Sequence, residues 1–219
     1  MLCDDALKEL IRRHLGSVEP MRADPGTHRV AAVAVAVAEE GDGAQLDGIP
    51  DPAAWSREAA LILTRRASAL RNHAGQWALA GGRLDAGESA EQTALRELAE
   101  EVGLVLDASA VLGRLDDFVT RSGYVITPVV VWAGAARHLV ANPAEVASIH
   151  RIPVREFMRE DAPWLDHEDG SEQPVLRMPV GNTWIAAPTA AVLYQFRELC
   201  IAGRPTRVAH FEQPLFARR

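Results

Sequence analysis

The chain has 219 residues, 48% hydrophobic and 24% charged, enough apolar side chain to bury the core of one domain and too much for a disordered segment. Its net charge of −7 excludes a general nucleic-acid binder, because nothing in bulk attracts a phosphate backbone. An anionic substrate is still open to it, provided that cations or a local arginine cluster invert the field at the site.

Residues 4–16 predict an amphipathic helix. Leu7, Leu10, Ile11 and Leu15 recur at helical spacing, with acids at its start and Arg12 and Arg13 near its end. A connecting loop follows, and then "RVAAVAVAVAEE" alternates Val and Ala, as a strand with both faces covered does. Glu39 to Trp55 is rich in Gly, Asp and Pro and predicts a long loop. "AALILTRRA" is a second strand, and "SALRNHAGQWALAGG" is mostly irregular, with an extended piece around Trp77 to Leu79. Ser89 to Val102 predicts a helix that ends at Gly103, with Ala90, Ala94, Leu95, Leu98 and Val102 on its apolar side.

Further on, two strands are expected around Arg121-Ser122-Gly123, then a strand running into a short helix near "EVASIHRIPVREF". "DHEDGSEQ" carries an Asp-Gly hairpin turn before "PVLRMPV", and "TAAVLYQFRELCIAG" is a final helix. Strands and helices alternate without a regular βαβ rhythm, which predicts an α/β fold with a mixed sheet between helices. Cys3 and Cys200 lack any metal-binding spacing and read as free thiols of a reducing compartment. The longest strongly apolar run, Val30 to Ala38, is too short to cross a bilayer, so a cytoplasmic location is expected, with no membrane partner.

The stretch "GGRLDAGESAEQTALRELAEEVGL", Gly81 to Leu104, carries the chemistry. On a helix, Glu97, Glu100 and Glu101 converge, and Arg96 and Glu88 lie within reach of the same region. Carboxylates this close repel unless something positive answers them, and Mg²⁺ favours carboxylate and carbonyl oxygen while keeping several waters. The Gly81-Gly82 turn lets backbone approach such an ion with no Cβ in the way. A solvated helix face with scattered ion pairs is the ordinary reading of a Glu-rich helix; here the turn, the helix and the carboxylates fall in one register.

That register resembles the complete Nudix box: Gly82, five residues, Glu88, seven residues, then Arg96-Glu97-Leu98-Ala99-Glu100-Glu101-Val102-Gly103-Leu104. The resemblance implies an α/β/α sandwich with a mixed sheet. It places a Nudix hydrolase domain over 28–200, after an N-terminal helix and loop over 1–27 and before a C-terminal tail over 201–219. It also implies hydrolysis of a nucleoside diphosphate linked to another group, with Mg²⁺ or Mn²⁺ as cofactor. Glu97, Glu100 and Glu101 with the Gly81 carbonyl would then be metal ligands. Glu97 and Glu101 would serve catalysis, supported by Arg96 paired with Glu88. A box glutamate or one from a later loop would take the proton from water; Glu145, before an apolar strand, reads either as near the cleft or as a surface residue.

"LTRRASALRNHAGQWALAGG" is similar to the extension that marks the coenzyme A pyrophosphatase branch, through Leu63-Thr64, Arg66, Leu70-Arg71, His73 and Gly75-Gln76. Arg65, Arg66, Arg71 and His73 are therefore expected at the substrate, where the arginines suit an extra phosphate. Two positions depart from the branch: Leu79-Ala80 stands where it has Phe-Pro, and Ala186-Ala187-Pro188-Thr189 where it has a Trp-Gly-Met-Thr-like stretch. Coenzyme A or an acyl derivative is the leading substrate, giving adenosine 3′,5′-bisphosphate and a 4′-phosphopantetheine. The alternatives are ADP-ribose, dinucleotides or oxidised nucleotides, or a sensor module that binds a nucleotide without turnover. The partner expected is a small nucleotide, and a homodimer is left open. Trp164 and Trp184 read as packing residues rather than base-stacking platforms.

Overall fold

The structure, a computed structural model, describes residues 1–68, 74–166 and 173–213. Helix α1 (Asp5–Gly16) starts on Asp4, whose carboxylate accepts the Leu7 N–H at 3.0 Å. Strands β1 (Arg29–Gly41), β2 (Ser56–Arg66), β3 (Trp77–Ala78) and β4 (Gly81–Arg83) follow, then helix α2 (Ala90–Val102). Strands β5 (Val111–Arg114), β6 (Phe118–Val119), β7 (Tyr124–Gly134) and β8 (Val146–Pro153) come next, with helix α3 (Val154–Phe157) directly after β8. The chain then forms β9 (Trp164–Asp166), β10 (Val175–Val180), β11 (Thr183–Ala186) and α4 (Thr189–Gln195).

Among the described residues, β1 to β8 make one mixed sheet in the order β3-β2-β1-β7-β5, with β8 on β2, β4 on β1 and β6 on β7. The central pair, β1 with β7, is parallel; β1 with β2 and β2 with β8 are antiparallel. One edge of β1 is shared: its end pairs with β2, while Ala31 to Val33 pair with β4. The handover between these two partners borders the cleft described below.

The Val/Ala alternation of β1 sorts two layers. Val35 and Val37 point into a core with Leu7, Ile11 and Leu15 of α1 and with Val192 and Leu193 of α4. Ala32, Ala34, Ala36 and Ala38 point the other way, against Ala90, Ala94, Leu98 and Val102 of α2. Small side chains on that face let α2 lie close to the sheet, where a larger residue would overpack by about 1–3 kcal/mol. The sheet is thus covered by helices on both faces, the α/β sandwich that the sequence predicts.

Several expectations are adjusted. β1 runs on to Gly41, so the loop is shorter than Glu39 to Trp55. The segment around residue 121 holds β6 as well as the two expected strands. The final helix is α only to Gln195 and continues as a π-helix over Phe196–Ile201, a widened turn that helices accommodate locally. β11 was not foreseen; it joins β10 and β9 in a separate antiparallel sheet of three strands. The Asp-Gly turn of 166–173 lies mostly outside the described residues, though β9 and β10 on either side pair antiparallel. Both cysteines are buried free thiols, and burial pushes Cys3 up to about 12. Among the described residues, no helix is long and apolar enough to cross a membrane.

Candidate active site

Two adjacent glycines seat the site for different reasons. Gly81 pairs with Val33, and a Cβ on it would stand 2.5 Å from the Ala32 carbonyl oxygen. Gly82 pairs with Ala32, and its Cβ would stand 2.0 Å from Glu97 Oε1. The first glycine lets β4 lie on β1; the second makes room for a carboxylate. A short loop then leads to Ser89, which caps α2 in a reciprocal box with Gln92, and left-handed Gly103 ends the helix.

Arg96 is the hub of the helix face. Its Nε and Nη2 donate to the two oxygens of Glu88 at 2.9 and 3.1 Å, and Nη1 donates to Glu97 at 2.8 Å and Glu100 at 3.0 Å. Nη2 also reaches the Arg83 carbonyl at 3.1 Å, tying helix to turn. Glu88 accepts from Thr93 Oγ1 and the Asp85 N–H as well. Arg96 chiefly, with these donors, holds the Glu88 carboxyl down at about 2.

Glu97 and Glu101 differ from Glu88 in being buried, at 8% and 3% exposure. Burial raises the Glu97 carboxyl, although Arg96 pulls against it. It pushes Glu101 up to about 8, with the charges of Glu97 and Glu145 adding; Arg66 and a Gly81 backbone hydrogen bond oppose. Two buried carboxylates side by side are short of positive charge.

These groups face a cleft of about 970 Å³, a size suited to a nucleotide-scale ligand. Gly81, Glu97, Glu101 and Arg66 line it, as does Glu145, the residue before β8. Among the described residues, the buried Nε of Arg66 has no hydrogen-bond partner, and neither has the indole N–H of Trp77 in the same wall. Glu100 stands outside the lining, with its side chain 54% exposed and turned to Arg96. Arg65 also stands outside: its guanidinium lies 3.9 Å over the Trp77 ring and donates to the Gly75 carbonyl. Arg71 and His73 lie outside the described residues. Trp164 and Trp184, expected as packing residues, are instead exposed on the three-stranded sheet, at 39% and 37%, and neither lines the cleft.

The opposite end of the cleft escaped the sequence reading. Arg29, Arg121, Tyr124 and Gln213 line it, brought together by the parallel β1–β7 register and by the chain's return beside β10. No local motif marks them; Arg29 reads as an ordinary surface charge at a strand start.

A model of the NUDIX domain matches residues 53–171, more than half of the chain. The chain belongs to the Nudix hydrolase family. It is 38% identical over 139 residues to an uncharacterised Nudix hydrolase NudL of Yersinia enterocolitica, an overlap of 62% of this chain and 71% of that protein. NudL of Photorhabdus laumondii is 43% identical over 99 residues, covering 45% of this chain and 53% of its own length. The match thus spans about half the length of the second relative. A MutT/nudix family protein of Enterococcus faecalis is similar in structure at TM-score 0.46 and 17% identity, over 83% of this chain and 62% of that one.

Nudix hydrolases work with divalent cations, and the residues present fit such an ion. The donors at Glu97 and Glu101 are oxygen alone, the set a hard cation prefers; Arg96 answers Glu97, while buried Glu101 makes no ion pair among the described residues. Among the described residues, no three His, Cys, Asp or Glu side chains gather tightly enough to enclose an ion.

Proposed function

We propose that the protein hydrolyses the diphosphate of coenzyme A or an acyl derivative, releasing adenosine 3′,5′-bisphosphate and a 4′-phosphopantetheine. The observation that carries the hydrolytic reading is the cleft itself: buried Glu97 and Glu101 share it with Arg66, whose Nε has no partner among the described residues. The coenzyme A assignment draws on the Leu63 to Gln76 resemblance, to which Arg66 belongs.

Arg66 binds and orients the diphosphate, which needs a fixed cation more than covalent help. Arg96 holds Glu97 in one rotamer by donating to its Oε1, and Glu88 in turn holds Arg96. Mg²⁺ or Mn²⁺, held by Glu97, Glu101 and the Gly81 carbonyl, with Glu100 joining only by leaving Arg96, would screen the diphosphate and make phosphorus more electrophilic. Water adds at phosphorus as the bridging P–O bond breaks, and a cleft carboxylate (Glu97, Glu101 or Glu145) accepts the water's proton. The leaving phosphate departs as a monoester, so one anhydride and one water give two phosphomonoesters.

One observation favours a second reading, with ADP-ribose or a dinucleotide as substrate. Leu79, Pro188 and Thr189, at the positions that depart from the coenzyme A branch, all line the cleft. The test is kcat/KM for coenzyme A, dephospho-coenzyme A, ADP-ribose and a dinucleotide under one metal condition. Coenzyme A is expected to lead; a lead of about tenfold or more for ADP-ribose or the dinucleotide, about 1.4 kcal/mol, overturns the coenzyme A assignment.

A further inference from the structure

Most arginine side chains with a defined role in this fold are answered by a carboxylate, as Arg96, Arg114, Arg155 and Arg204 are. The cleft is different. Arg121 is paired with Glu212, but Arg29, Arg66 and Arg83 form no ion pair among the described residues. In a chain with 30 acids against 23 Lys and Arg, three unanswered guanidinium groups in one cleft mark where an anion belongs.

These three do not sit together. Arg66 acts on Glu101 and belongs to the carboxylate end, and Arg83, paired with Ala31, stands between it and Arg29. Arg29 opens β1, three residues before Ala32, the partner of Gly82. At about 3.3 Å per residue, its backbone stands about 10 Å along the strand from that end. Nor is Arg29 a loose surface charge. Its guanidinium lies 4.0 Å over the ring of Tyr124, its register partner on β7, and Nη2 donates to the Ser122 carbonyl at 3.0 Å. A guanidinium stacked by one face and anchored by one nitrogen keeps its remaining edge N–H groups for a planar, bidentate contact with phosphate.

We propose that Arg29, braced on Tyr124, is a specificity-determining residue of the cleft that binds a second phosphate, a phosphomonoester on the substrate separate from the scissile diphosphate. The inference rests on the coenzyme A reading, in which the 3′-phosphate is that group, across a ribose from the diphosphate. It moves the recognition of that phosphate from the 63–76 segment to the start of β1.

The test is calorimetric titration with adenosine 3′,5′-bisphosphate and with AMP, together with kcat/KM for coenzyme A and dephospho-coenzyme A. Wild type should bind the bisphosphate on the order of tenfold or more tighter than AMP, the scale of one charge-assisted contact. Arg29→Gln should bring the two affinities within about twofold of each other, and Arg29→Lys, which keeps the charge but not the fork, should fall between. Arg29 is exposed at the first residue of its strand, so unchanged melting curves are expected; where Arg29→Gln melts early, Arg29→Lys decides the point. Equal wild-type affinities, or a variant that weakens both ligands alike, overturn the inference. A bisphosphate preference that depends on Arg29 in an enzyme inert toward coenzyme A keeps the inference and sinks the substrate reading. Equal turnover of coenzyme A and dephospho-coenzyme A does the reverse.

Discussion

Gly82→Ala separates the site from the fold more sharply than any carboxylate substitution. The added Cβ would stand 2.0 Å from Glu97 Oε1 and 2.6 Å from its carboxyl carbon. Carbon and oxygen at rest do not approach within about 3 Å, so Oε1 has to retreat by about 1 Å. That retreat pulls it from Arg96 Nη1, now at 2.8 Å, a charge-assisted bond worth about 1.5–3 kcal/mol. A misplacement of about 1 Å at a reacting centre costs on the order of 10²-fold in rate, or about 2.7 kcal/mol in the barrier.

Stability should move much less. Arg96 keeps Glu88, Glu100 and the Arg83 carbonyl, and the loss of glycine freedom in the unfolded chain returns about 0.4–1 kcal/mol. Gly16→Ala is the control, because nothing lies within 4 Å of a Cβ there. The assay is kcat/KM on the best substrate beside a thermal melt. Wild-type turnover by Gly82→Ala would refute the reasoning, and so would a rate loss matched by a collapse of the melting temperature.

Gly81→Ala should lower stability where its neighbour does not. Its Cβ meets the Ala32 carbonyl and Val33, so β4 is pushed off β1 and the melting temperature falls, which differential scanning calorimetry would detect. Arg96→Lys keeps the charge but cannot span Glu88, Glu97, Glu100 and the Arg83 carbonyl together; kinetics and melting should show activity falling more than stability. Glu91, hydrogen-bonded by Arg114, is held down at about 2, so it contributes stability that is present above its unfolded value of 4.5 and lost as pH falls toward 2. Denaturant titrations of Glu91→Gln should therefore show a shallower loss of stability over that acid window than wild type.

The sequence made some of this legible because the signals are local. The Val/Ala alternation of β1 announces two covered faces, and the box from Gly82 to Leu104 fixes a turn, a cap and a carboxylate face by spacing alone. Other features depend on distant pairing. Arg29 meets Tyr124 only because β1 and β7 lie parallel in one register. Arg65 and Arg66 are neighbours in sequence, yet alternation along β2 sends one onto Trp77 and the other into the cleft wall. Glu100 shares the helix face with Glu97 and Glu101, but it stands at the solvent edge, where Arg96 engages it. β11 is four residues with no periodic run, so only its partner β10 defines it.

Product analysis tests the central claim most directly. The protein is incubated with coenzyme A and Mg²⁺ or Mn²⁺, and the mixture is resolved by chromatography and mass, with Glu101→Gln in parallel. The account predicts adenosine 3′,5′-bisphosphate and 4′-phosphopantetheine in equal amounts, with their formation reduced on the order of 10²-fold in the variant and abolished by excess chelator. Intact coenzyme A beside cleaved ADP-ribose would contradict the substrate, and full activity of Glu101→Gln would contradict the site.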